Sequence, residues 1–186
     1  MVDFVSELIS CRHEDTHLPF YPEHIQGYTE QEIDQIAEIY NLEIHGQFRE
    51  FLSQMGRCSG GLLWGTVSMF RYSWNKEAYT GYQKVLDDED EINKPNGWIS
   101  AVENKLFPLT NENEGNQFAY LATALKNDYV WLWDDGQPES EFSCTGSTLL
   151  EYLKWLVESE TKQARFGDKL VNFEQDKQYI TGKLLD

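Results

Sequence analysis

The sequence predicts an α+β domain, a mainly antiparallel sheet of about five strands flanked by helices. Two observations carry this. Apolar residues recur first at helical spacing, then in short strand-like runs divided by turn residues, then at helical spacing again, and this segregation defines the class. The chain also has enough apolar material for one buried core, with 186 residues that are 40% hydrophobic and 14% aromatic.

Residues 1–28 read as an N-terminal arm, with a short helix at Phe4–Ile9 and then a loop holding His13, His17, His24, Pro19 and Pro22. Thr29-Glu30-Gln31-Glu32 has the form of a capping box, in which the hydroxyl caps an amide and Glu32 reaches back. Ile33, Ile36, Ala37 and Tyr40 follow as one apolar helix face, and Phe48, Phe51, Leu52 and Met55 repeat that spacing after Gly46. Gly56 stands where a helix end favours a left-handed residue. Gly60-Gly61 reads as a turn of positive φ leading into Leu62-Leu63-Trp64, which forms a strand pair with Val67–Tyr72 about Gly65.

Residues 70–97 look like an insertion, with a helix over Ala78–Leu86 and a turn at Pro95-Asn96-Gly97. Three strands follow at Lys105–Thr110, Gln117–Ala122 and Tyr129–Trp133. The turns between them fall at 111–116 and at Lys126-Asn127-Asp128, and Asp134-Asp135-Gly136 closes the third strand. A last strong helix starts at Ser147 or Thr148, where Thr148-x-x-Glu151 forms a second capping box. Leu149, Tyr152, Leu153, Trp155 and Leu156 make its apolar face. Residues 159–186 are a C-terminal extension that packs as a further helix through Leu170, Phe173 and Ile180.

Charge narrows the classes of partner. The chain has 15 Lys and Arg against 32 Asp and Glu, a net charge of −17. The excess is spread over the whole chain: residues 1–62 carry 3 basic and 11 acidic residues, 63–125 carry 5 and 9, and 126–186 carry 7 and 12. Such a surface repels nucleic-acid backbones and anionic membranes and suits a basic protein partner. Three cysteines, Cys11, Cys58 and Cys144, cannot all pair, so free thiols are expected. The first residues lack a basic region ahead of an apolar stretch, and no apolar run approaches the ~20 residues that span a bilayer. The expectation is a cytoplasmic protein, monomeric or weakly homodimeric.

No motif carries catalytic, cofactor or metal spacing. Cys11-x-His13-x3-His17 lacks the paired ligands of a zinc site. The glycines around Gly60 have neither the lysine nor the hydroxyl of a phosphate loop. Ser143-Cys144-Thr145-Gly146-Ser147 is not a nucleophile elbow and reads as a helix N-cap region. Cys58 lies beside Arg57, which lowers a thiol pKa, but His45 is its only nearby base. Catalytic, cofactor-binding and metal-ligating residues are therefore expected to be absent. A hydrolase or metal enzyme using the His13/His17 region or the carboxylates is the weakest reading.

The aromatic surplus says more. In β geometry Trp131 and Trp133 share one face and Leu132 the other, so that pair and Trp155 are expected in the core. Trp74, with Tyr79 or Tyr82, falls in the acidic insertion and is the better candidate for an exposed anchor. With Asp87, Asp88, Glu89, Asp90 and Glu91, and with Asp134, Asp135, Glu139 and Glu141, these three form the expected partner-binding set. Trp and Tyr dominate binding hot spots, and carboxylates around them suit a cationic surface.

Several segments, in order, resemble the SUKH superfamily. These are Glu32–Ile36, the second helix Phe48–Gly56, the diglycine segment Gly60–Gly65, the strand Val130–Asp134 that ends in an acid, and the closing helix Ser147–Val157. The resemblance covers about residues 29–158; Ile44-His45-Gly46 and Cys58-Ser59 depart from the family's usual Leu-Pro and Asn. It implies a non-enzymatic binding scaffold. Bacterial members neutralise toxins, often nucleases, by binding them, and fungal members regulate cell-wall assembly through protein contacts. An immunity protein facing a basic toxin domain is the first expectation, and a regulatory scaffold without a toxin is the alternative.

Overall fold

Local capping sets the helices. In α1 (Phe4–Cys11), Asp3 accepts a hydrogen bond from the Ser6 amide at 3.0 Å. In α2 (Glu30–Ile39), both halves of the expected capping box form: the Glu32 amide donates to Thr29 Oγ1 at 3.3 Å and the Thr29 amide donates to Glu32 at 2.9 Å. The far end of α2 closes on Asn41, at φ +52°, with the Leu42 amide bonded to Ala37 O and the Asn41 amide to Glu38 O. This is the left-handed C-terminal motif that asparagine tolerates. α3 (Gly46–Met55) has no cap from its own sequence. Asp128 supplies one from 81 residues away, accepting from the Gln47 amide at 2.8 Å. A Cβ on Gly46 would fall 2.3 Å from Asp128 Oδ1, at φ +51°, so the cap requires glycine there.

The computed structural model describes residues 1–64, 76–77, 79–81, 83–84, 87, 101–112, 117–134, 142–163 and 172–185. Within them the fold is α+β, with six helices and a four-stranded antiparallel sheet. The remaining helices are α4 (Ala101–Asn104), α5 (Leu149–Gln163) and α6 (Phe173–Ile180). The strands are β1 (Leu106–Glu112), β2 (Gln117–Ala122), β3 (Tyr129–Asp134) and β4 (Phe142–Thr148), paired in the order β1-β2-β3-β4.

About five strands were expected. Leu62-Leu63-Trp64 is not one of them: it is a buried loop turned by Gly60 and Gly61 at φ +62° and +92°. The Val67–Tyr72 strand lies outside the described residues. β4 takes up the segment expected as a helix N-cap region, and the Thr148–Glu151 capping box comes at its end.

Both faces of the sheet bear buried side chains. Phe107, Leu109, Ala119, Leu121 and Val130 face the helices in the main core, and Leu132 packs against it. Leu106, Tyr120, Ala122 and Trp133 form a second cluster with Phe118 and Trp131. The expected alternation of Trp131 and Trp133 against Leu132 therefore holds, but the two indoles belong to the smaller cluster. A register shift between Pro108 and Thr110 disturbs the alternation of β1. It leaves Leu109 in the main core and the Thr110 hydroxyl bonded to Tyr152 of α5.

Trp155, expected in the core, is 51% exposed. It lies about 120° around α5 from Leu149 at 3.6 residues per turn. Gly56 is right-handed, at φ −62°, rather than the left-handed cap expected. A Cβ there would meet Leu52 O and the Tyr28 ring, each at 2.7 Å, so close packing and not φ explains the glycine.

The terminal segments close the molecule. Phe4 and Leu8 of the arm have no exposure and lie in the main core, where α1 packs against α3 and α5. Gln26, Cys58 and Thr181 form two antiparallel bridges side by side, and the Gly182 amide donates to Arg57 O at 2.7 Å. A third cluster, of Leu18, Cys58, Trp64 and Ile180, gathers the arm, the diglycine loop and α6. No helix among the described residues is long and apolar enough to cross a membrane.

Candidate functional site

The structure brings two of the expected partner-binding residues, Tyr79 and Asp87, to one cleft of about 260 Å³. One wall is the C-terminal end of α2, where the left-handed Asn41 turns the chain away and leaves Ile39 44% exposed at the rim. The opposite wall is a helical stretch bearing Lys76, Tyr79, Gln83 and Asp87. Lys105, between α4 and β1, closes the base. It too is left-handed, at φ +48°, and its ammonium pairs with Glu43 at 3.1 Å. That pair holds the Glu43 carboxyl below its usual range.

Tyr79 was one candidate for an exposed anchor; it is 8% exposed and belongs to the core. The reason lies at the helix end. The last carbonyls of a helix lack intrahelical donors, and the Tyr79 hydroxyl donates to Tyr40 O at 3.2 Å. Gln83 Nε2 then donates to the Tyr79 oxygen at 3.0 Å and to Leu106 O at 3.1 Å, joining α2 to β1. The ring meets Tyr40 edge-on at 4.9 Å. Burial, reinforced by the Asp87 charge and opposed by the Gln83 hydrogen bond, pushes the phenol up to about 12. At neutral pH Tyr79 is a fixed donor, not a base.

A pH dependence follows. The fold holds the Tyr79 proton above the ordinary value of 10.0, so this stabilisation is complete below pH 10 and is lost as pH rises through about 12. It amounts to about 3 kcal/mol over that window. Urea unfolding at roughly pH 9.5 and 11.5 is expected to show wild type losing more stability than Tyr79→Phe. Equal losses would remove Tyr79 as the cause.

Trp74, Tyr82, Asp88, Glu89, Asp90, Glu91, Asp135, Glu139 and Glu141 lie outside the described residues, as does the side chain of Asp134, whose backbone ends β3. The walls that the sequence reading missed, Asn41 and Lys105, carry one local signal each: an asparagine after a helix and a lysine before a strand.

Cys58 is buried, and burial pushes its thiol up rather than down. His45 Nε2 is engaged with Thr123 O at 2.9 Å. In the arm, the His24 ring stacks on Phe173 at 3.5 Å.

The charge has a structural pattern. Arg49 pairs with Glu30 and Asp34, Arg57 with Glu32, Lys154 with Glu7, Lys162 with Glu158 and Lys177 with Glu174. Arg12 is spent on the Leu18 carbonyl and lies over the Phe20 ring. Six of the described basic residues are thus paired within the fold; Lys76, Lys84, Lys126 and Lys183 stand exposed, and so do the more numerous carboxylates, among them Glu14, Asp15, Glu38 and Glu77. The outward field is acidic.

The chain matches no protein-family model, and no curated protein or solved structure matches it.

Proposed function

We propose that the protein is a non-enzymatic binding domain of the SUKH type, an immunity protein that neutralises a toxin with a basic surface. One observation supports the choice of partner: among the described residues six basic side chains are taken up by internal ion pairs, and exposed carboxylates outnumber exposed lysines. The ordered resemblance over residues 29–158 supplies the class, and Val67–Tyr72 is its candidate fifth strand. The cleft beside Tyr79, at about 260 Å³, suits a single partner side chain better than a substrate. A regulatory scaffold without a toxin remains the alternative, and gene neighbourhood separates the two.

The test is to co-express the chain with the product of the adjacent gene and follow association at increasing salt. Steering by net charge raises association rates by ~10–10³-fold at low ionic strength, and that gain is screened by salt. The on-rate is expected to fall at least ~10-fold between low and high salt. Failure to form a complex, or an on-rate indifferent to salt, would overturn the proposal.

A further inference from the structure

α5 turns an aromatic residue outward between two acids. Trp155 is the most exposed tryptophan among the described residues, at 51%, and Glu151 and Glu158 are exposed beside it. They stand four residues before it and three after it, the spacings that share one helix face. The indole does not swing freely. It packs at 5.7 Å on the ring of Tyr152, which is 7% exposed and held by its hydroxyl to Thr110. Both carboxylates stay ionised: hydrogen bonds from Thr148 hold Glu151 below the usual range, and Lys162 does the same for Glu158.

A fixed indole face edged by carboxylates is built to receive a guanidinium. The plane of the cation lies over the ring, and its N–H groups are left to donate to the acids. A lysine ammonium gains less there, because it is more strongly hydrated and cannot stack.

We infer that the Glu151–Trp155–Glu158 face of α5 docks an arginine-bearing segment of a basic protein partner. This rests on the reading of the protein as a binder of such a partner and names its anchor.

The test follows the indole N–H resonances of the six tryptophans during titration with acetylated hexa-arginine amide at low salt, with Trp155→Phe assigning the signal. The Trp155 resonance is expected to move most, less with hexalysine, and to return in high salt. Two results overturn the inference: a Trp155 resonance that stays fixed while others move, or one that moves with protein concentration alone, which would make the face a contact between two copies. In the complex with the adjacent gene product, Trp155→Ala is expected to weaken binding by about 30-fold or more, and E158Q several-fold, each measured on protein shown to be folded. Unchanged affinity in Trp155→Ala overturns the inference and leaves the binding function standing. A missing wild-type complex overturns that function, and the peptide titration still decides the face.

Discussion

Phe4→Ala is expected to lower the free energy of unfolding by about 3–5 kcal/mol, the cost of emptying a buried aromatic site. That is a large part of the roughly 5–15 kcal/mol that holds a typical domain together. Phe4 has no exposure and meets Phe51 edge-on at 5.8 Å. The backbone around it is also fixed by α3. The Phe4 amide donates to Gln54 Oε1 at 2.8 Å, and Gln54 Nε2 donates to Val2 O at 2.6 Å. The Val2 amide donates to Glu50 at 2.9 Å. The side chains of α3 thus satisfy polar groups at the start of α1, so the cavity left by alanine cannot collapse cheaply. Ile9→Ala, on the exposed side of the same helix, is the control, with an expected loss under about 1 kcal/mol. Urea unfolding reads both, and an unchanged m-value would show that the native state kept its compactness. If Phe4→Ala cost no more than Ile9→Ala, residues 1–28 would be an appendage to the fold rather than part of its core.

The features legible in the sequence were those with local chemistry. Thr29 with Glu32 and Thr148 with Glu151 mark helix starts because both partners of each box lie within four residues. β2 and β3 were legible from apolar runs bounded by turns. β4 was not, since Phe-Ser-Cys-Thr-Gly-Ser-Thr has no apolar alternation. Its strand character comes from pairing with β3 and from the Thr145 hydroxyl, which donates to Val130 O at 2.8 Å. Trp155 was misplaced because a list of apolar residues ignores the angle: a broad face counted along the chain took in a residue that the helix turns outward. Tyr79 and Asp87 were singled out for an acidic, aromatic setting. What unites them with Asn41 and Lys105 is the meeting of a helix end with a strand start, a tertiary fact that no local spacing records. The same holds for the cap that Asp128 places on α3.

The largest contrast between two neighbouring substitutions is expected at the contact of the arm with α6. Asp176 has no exposure; one carboxylate oxygen accepts from the Tyr21 hydroxyl at 2.6 Å, and the other, Oδ1, has no hydrogen-bond partner among the described residues. Tyr21→Phe keeps the ring on Phe173, 5.6 Å away, and removes the single donor. The buried carboxyl is left without a hydrogen bond, at an expected cost of about 2–3 kcal/mol. Asp176→Leu removes the carboxyl itself. The penalty of burying its unpartnered oxygen disappears, and the half-buried Tyr21 hydroxyl can turn to water, so stability is expected within about 1 kcal/mol of wild type. The double variant is then expected to match Asp176→Leu, recovering nearly all of what Tyr21→Phe alone loses, a coupling of 2 to 3 kcal/mol in order of magnitude. Urea unfolding of the four proteins measures it. Additive losses would mean that Tyr21 contributes through its packing on Phe173 and His24, and that the buried carboxylate carries little of the cost assigned to it.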